Sequence, residues 1–233
     1  MCEKCGCSDR ASHHRASDHD RADLRHLDHL AEQNRMFFQS KRVLAINVLS
    51  FSSSSARPLL RQTVAEWGRH RHVAVVDSVF LESIHAAHDH ESSHCHAHDE
   101  AGEDLGLLDA HKISHALHAL DLDGVDVLLL ENGGSAACQA LNDLGEVLRV
   151  AVFSVRDGEL KPLKFPPFFQ KADAVVIQDM DQADALGFDL SKARANVRSV
   201  APQAALLEAS ARTGTGLGEW YAFLEAGLKR FEA

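Results

Sequence analysis

The chain of 233 residues is long enough for one substantial domain plus an appendage, and an apolar fraction of 45% supplies a real core, which excludes a disordered protein. Its net charge of −10 excludes nucleic acid and anionic membranes as partners, since both demand clustered Lys and Arg. No apolar run approaches the roughly 20 residues of a membrane span, no apolar signal segment opens the chain, and five cysteines, three of them crowded at the start, make no disulfide framework; a reducing, cytoplasmic location is expected.

The chain begins Met1-Cys2-Glu3-Lys4-Cys5-Gly6-Cys7, with Cys2, Cys5 and Cys7 at spacings of three and two. Thiolates are soft ligands that suit nickel, zinc or copper. Gly6 lets the backbone fold tightly between two of them, and the α-amino group offers a fourth donor. Three sulfurs and a nitrogen fit a planar or a tetrahedral ion. The competing reading is a Cys-x-x-Cys redox pair, but such pairs open a helix beside a strand, and none is expected here. Residues 8–21 are polar, with His13, His14 and His19 among Asp and Arg. Residues 1–19 therefore read as a flexible metal-binding tail.

A lead-in helix is expected over 20–40, where Leu24, Leu27, Ala31, Asn34 and Phe38 recur at spacings of three and four. His26 and His29 flank that face, where solvated side chains are the plainer reading and weak metal ligands the alternative. The apolar run 43–49 predicts a buried strand, followed by a serine-rich loop from Ser50 to Ala56 and a helix with Pro58 in its first turn. Further strands are expected at 73–76, 125–130, 150–155, 174–177 and 205–207, with helices at 107–120 and from about 217 to 231. Alternating strands and helices imply a three-layer α/β domain over 41–233, its mostly parallel sheet covered on both faces. Ligands bind such sheets at the carboxyl ends of the strands. The loops after Leu49, Asp77, Leu130 and Ile177 thus form the functional edge.

Between 85 and 98 lies an insert in which His85, His88, His90, His94, His96 and His98 surround Cys95. Imidazole is a common ligand for zinc and nickel. In an extended conformation His94, His96 and His98 share one side. A labile metal buffer is expected here, against a disordered insert with no fixed site. His111, His115 and His118 share one helical face; the first two could clamp an ion, and a solvated or partly buried face is the plainer reading.

Several blocks together resemble the HypB-type nickel metallochaperones of [NiFe]-hydrogenase maturation. They are the Cys-x-x-Cys-Gly-Cys start, Leu30-Ala31-Glu32-Gln33-Asn34-Arg35, Glu131-Asn132-x-Gly134, Asp143-Leu144-Gly145-Glu146, Val150-Ala151-Val152, Lys161-Pro162-Leu163-Lys164-Phe165-Pro166 and Ser210-Ala211-x-Thr213-Gly214-x-Gly216. The resemblance implies a P-loop GTPase-like fold, nickel delivery, a nucleotide-dependent dimer and a zinc-binding partner chaperone. It also makes 210–216 the loop over a guanine base, with Asp181, Ser210 and Ala211 as its base pocket. Cys138 matches a family cysteine and is either a ligand or a small buried hydrophobe.

The departures bear on mechanism. The family's Gly-x-Gly-Lys-Thr-Thr falls on Ser53-Ser54-Ser55-Ala56-Arg57-Pro58, so the glycines that wrap phosphate, the lysine and the magnesium ligand are replaced. Asn-Lys-x-Asp falls on Gln178-Asp179-Met180-Asp181, where Asp181 alone survives. The family's Cys-His pair, a second metal site shared across the dimer, falls on Gly106-Leu107. Three functions compete on this evidence. The leading one is a nickel-binding accessory protein on a GTPase fold with a decayed GTP/Mg²⁺ site, working with a maturation chaperone and the hydrogenase large subunit, as a homodimer or paired with an intact GTPase relative. The others are a working GTPase in which Arg57 replaces the lysine, and a cytoplasmic nickel or zinc store.

Overall fold

The structure, a computed structural model, describes residues 18–51, 53–77, 108–133 and 142–232. Cys2, Cys5, Cys7, His88, His90, His94, Cys95, His96, His98 and Cys138 lie outside them, as does Gly134.

In chain order the elements are α1 (Asp18–Lys41), β1 (Leu44–Ser50), α2 (Ser53–Glu66), β2 (Val73–Val76), α3 (Ala110–Leu117), β3 (Val127–Gly133), β4 (Leu148–Ser154), α4 (Lys161–Lys164), α5 (Pro166–Gln170), β5 (Ala174–Gln178), α6 (Leu190–Val200), β6 (Ala205–Glu208) and α7 (Leu217–Glu232). The strands form one sheet in the order β2-β3-β1-β4-β5-β6, with every neighbouring pair parallel. β1, β3, β4 and β5 are buried along their whole length, which explains why they read as continuous apolar runs.

Alternate residues of each strand serve opposite faces. Leu44, Ile46 and Val48 pack with Leu59 and Leu60 of α2 and Trp220, Leu224 and Leu228 of α7. The fully buried Trp220 donates its indole N–H to Thr63 Oγ1 at 2.8 Å. On the other face, Ala45, Leu128 and Leu130 pack with Phe38 of α1 and Ile113 and Leu117 of α3. Farther along that face Phe153, Val175 and Ile177 meet Phe169 of α5 and Val197 of α6.

The expected face of α1 is the one that docks: Ala31, Asn34 and Phe38 are buried. Asn34 Nδ2 donates to Ala110 O at 2.9 Å and Leu144 O at 3.1 Å, tying α1 to the start of α3 and to the turn before β4. In that turn Glu146 accepts from Leu144 N, Asn47 Nδ2 and the Arg149 guanidinium, so a buried carboxylate is fully enclosed by donors.

Four boundaries differ from the sequence expectation. Ser53 to Ala56 form the first turn of α2 instead of a loop, and Pro58 lies inside the helix, beyond its first turn. Pro58 costs the bond its absent N–H would make; burial of Ala56, Leu59 and Leu60 against the sheet carries the helix through it. Residues 131–133, expected as a loop, continue β3, because they pair with Val48–Ser50 of β1. The helix expected over 107–120 is confined to Ala110–Leu117, with the Asp109 carboxylate accepting from Lys112 N as its N-cap.

Gly145 has φ +90°, and a Cβ there would lie 2.5 Å from Ala31 O, 2.7 Å from Asn34 Cβ and 2.8 Å from Arg35 N. Gly145→Ala is therefore expected to push α1 off the sheet and to lower stability by at least about 1–3 kcal/mol. Chemical denaturation of the two proteins checks this; equal midpoints would remove the docking role given to this turn.

Candidate functional site

The carboxyl ends of β1, β3 and β5 and the loop after β6 meet along one edge, as the parallel topology requires. At the β1 end, Ser50 is buried with its hydroxyl unpartnered among the described residues, and Phe51 is half-buried. The Phe51 ring stacks on Phe168 with centroids 4.0 Å apart, and Lys161 Nζ sits 3.9 Å over its outer face. The 161–166 block thus acts as a cap on the exit of β1, a role its sequence did not announce.

The positions matched to a phosphate-loop lysine and magnesium ligand behave in opposite ways. Ala56 is fully buried and belongs to the core beneath α2. Arg57 instead reaches the sheet edge. Its Nε lies 3.3 Å from Oε1 and 3.4 Å from Oε2 of Glu131, with the hydrogen bond aimed at Oε2, and a terminal nitrogen lies 3.7 Å from Asp77. Burial pushes the Glu131 carboxyl above the ordinary glutamate range, and the Arg57 charge pulls it partly back. This ion cluster was missed in sequence. Arg57 was legible as a cation at the edge, but its carboxylate partners lie 20 and 74 residues away.

At the other end, Gln178 is buried; its Oε1 accepts from Asp179 N at 3.2 Å and Ala211 N at 3.3 Å, while its Nε2 has no partner. Asp179, at the position of the family's lysine, holds φ +63° and accepts from Ser154 Oγ at 2.6 Å. The structure does bring Asp181, Ser210 and Ala211 together. The Ser210 hydroxyl donates to one Asp181 oxygen and the Arg212 guanidinium to the other. The hydroxyl foremost, with the guanidinium, holds the Asp181 carboxyl below the usual aspartate range. Gly216 makes the return of this loop possible: with φ +73°, a Cβ would fall 1.9 Å from Glu208 O.

Among the described residues there is no group of three or more His, Cys, Asp or Glu side chains placed to hold a metal ion. His26 and His29 are exposed, as expected. His111 and His115 do converge, with their Nε2 atoms 3.2 Å apart.

No protein-family model matches the chain. The hydrogenase maturation factor HypB of Azotobacter vinelandii is 35% identical over 204 residues, spanning 85% of this chain and 65% of that protein; the chain thus spans just under two thirds of the length of such curated relatives. The crystal structure of HypB from Archaeoglobus fulgidus is similar at 30% identity and a TM-score of 0.71, covering 88% of this chain and all of the other. The structure of HypB from Helicobacter pylori in complex with nickel has the same TM-score, 0.71, at 22% identity, covering 88% of this chain and 96% of that one. The expected P-loop GTPase-like α/β architecture is therefore the observed one.

Removal of the cation from the buried Glu131 carboxylate has an expected signature. Arg57→Met should cost about 1–3 kcal/mol at neutral pH, toward the low end because Arg57 is 37% exposed and its charge is screened. Without the guanidinium the folded-state pKa of Glu131 rises further above its unfolded value of ~4.3. The penalty is then present at neutral pH and recedes as pH falls through the folded pKa and the carboxyl takes up its proton. Denaturation curves at pH 7 and pH 5 check this, and a deficit independent of pH would count against the ion cluster.

Proposed function

The chain belongs to the HypB family of hydrogenase maturation factors, and on that premise we propose that it is a nickel-binding metallochaperone of [NiFe]-hydrogenase maturation whose GTPase fold no longer grips phosphate. The observation that carries the second half of the reading is the pairing of a buried Ala56 with an Arg57 engaged by Glu131 and Asp77. Phosphoryl transfer depends on a phosphate-wrapping backbone, its lysine and a magnesium ion. Here the lysine position carries a methyl group inside the core, and the magnesium-ligand position carries a cation already held by the edge carboxylates. These residues do not fit a magnesium–nucleotide. Asp181, Ser210 and Ala211 remain as a residual base pocket, with Arg212 across the carboxylate that a guanine would need.

Nickel is cargo in this reading. Cys2, Cys5 and Cys7 bind it as thiolates, releasing protons, and His88, His90, His94, Cys95, His96 and His98 hold further nickel or zinc ions, with Cys138 a further candidate ligand. The nickel found with the Helicobacter pylori relative supports the choice of metal. Partners of matching chemistry are a zinc-binding maturation chaperone and the hydrogenase large subunit. The GTPase-like body serves as the dimerisation and docking surface, with a second copy or with an intact GTPase relative. Among the described residues no helix is long and apolar enough to cross a membrane.

Two experiments test the reading. Replacing Cys2, Cys5 and Cys7 by Ala should abolish the tightest nickel binding, measured by chelator competition, and leave weaker binding in place; unchanged affinity and stoichiometry would reject the tail as the loading site. Calorimetry with GTP and Mg²⁺, together with a phosphate-release assay, should detect neither micromolar binding nor turnover on the isolated chain. Binding with turnover would restore a working GTPase in which Arg57 and the serine hydroxyls hold phosphate.

A further inference from the structure

We infer that His111 and His115 form a two-imidazole chelate for a divalent first-row transition ion on the exposed face of α3. The inference does not rest on the delivery role proposed above. It stands on the approach of two side chains on a helix that is packed against the core.

α3 is eight residues long and is held by tertiary contacts instead of its own length. Ala110, Ile113, Ala116 and Leu117 face the core, and Asn34 of α1 donates to Ala110 O. His111 and His115 lie one turn apart away from that face, the first half-exposed and the second exposed. Their rings stand edge to face, with centroids 4.5 Å apart and planes at 67°. Their Nε2 atoms approach to 3.2 Å, which puts both nitrogens within reach of a single ion. At that distance at least one ring turns a lone pair towards the other. A neutral imidazole with its lone pair forward is the metal-binding form.

The separation suits an ion. Imidazole nitrogens bind zinc at about 2.0–2.1 Å, and two such bonds to nitrogens 3.2 Å apart enclose an angle of roughly 100°, between octahedral and tetrahedral values. Nickel, zinc and copper accept imidazole, whereas magnesium and calcium require oxygen donors. No third ligand stands beside the pair among the described residues. The remaining positions belong to water or to donors brought by another segment or molecule. A site with two protein ligands and open positions favours transient holding and exchange over permanent structural binding. An ion across positions 111 and 115 would also staple one turn of a helix only two turns long.

Diethyl pyrocarbonate modification of the full chain, mapped by mass spectrometry, reads each ring separately. Nickel chloride is raised stepwise, so that the thiolates fill first, and magnesium chloride serves as control. Nickel should suppress modification of His111 and His115 together and several-fold, and magnesium should not. In His111→Gln the protection of His115 should vanish, and in His115→Gln that of His111, while His118→Gln leaves both protected. Amide exchange over 111–117 should slow with nickel in the parent chain and in neither of the first two variants. Modification of both rings unchanged by saturating nickel would make the pair a solvated face and overturn the inference. So would protection of one ring that survives loss of the other.

Discussion

β1 is the constraint on which the rest of the structure depends. It is buried on both faces and paired on both edges, with β3 on one side and β4 on the other. The chain leaves it towards β2 and β3, then returns across to β4. Its carboxyl end is therefore the point where the connections diverge, and in open parallel sheets that point is where ligands lie. Everything with chemistry at this edge is placed by that geometry: Ser50 and Phe51 by the exit itself, Arg57 by the helix that must follow it, and Glu131 by the register that sets Val48 opposite Glu131. Phe51 shows how little freedom the exit retains, since it is pinned between Phe168 and the ammonium of Lys161.

The two ends of the edge have settled their charges internally, by different amounts. Glu131 is 4% exposed and cannot be left uncompensated, so its contact with Arg57 matters to the fold. The Asp181–Arg212 pair has a guanidinium 67% exposed, so solvent screens it and it contributes little. A base with well-placed donors would displace Arg212 at little cost. In the reading proposed above, phosphate meets a harder obstacle than a competing ion pair. The lysine position points a methyl group into the packing of Leu59 and Trp220, and no modest side-chain shift turns it towards the edge. In that reading sterics and burial, more than electrostatics, separate the phosphate end from the base end.

Much of this fold was legible because parallel strands buried on both faces spell themselves as uninterrupted apolar runs, and α1 betrays its docking face through Ala31, Asn34 and Phe38. The misplaced boundaries fell where polar residues are held by pairing or burial that local composition does not record. Glu131 and Asn132 read as loop residues but lie within the ladder with β1. Ser53 to Ala56 read as a loop but open a helix whose apolar face seats on the sheet. The blocks around Asn34 and Gly145 were both recognised. What was not legible is that they touch, with Arg35 donating to Asp143 at 2.6 Å across 108 residues. For the same reason Asp181, Ser210 and Ala211 could be grouped by resemblance, while Arg212 as the occupant of that carboxylate could not.

The two sites proposed for soft or borderline ions differ in ligand type, thiolates at Cys2, Cys5 and Cys7 and imidazoles at His111 and His115. Among the described histidines, His72 Nδ1 is bonded to Gly124 O at 2.7 Å, His29 meets Gln33, and the Nε2 atoms of His111 and His115 lie 3.2 Å apart. A chelate of two neutral imidazoles is a weaker and more exchangeable trap than three thiolates for a borderline or soft ion. On the two proposals together, an ion shared between the sites would run downhill from α3 to Cys2, Cys5 and Cys7, which would make the helix pair a point of capture.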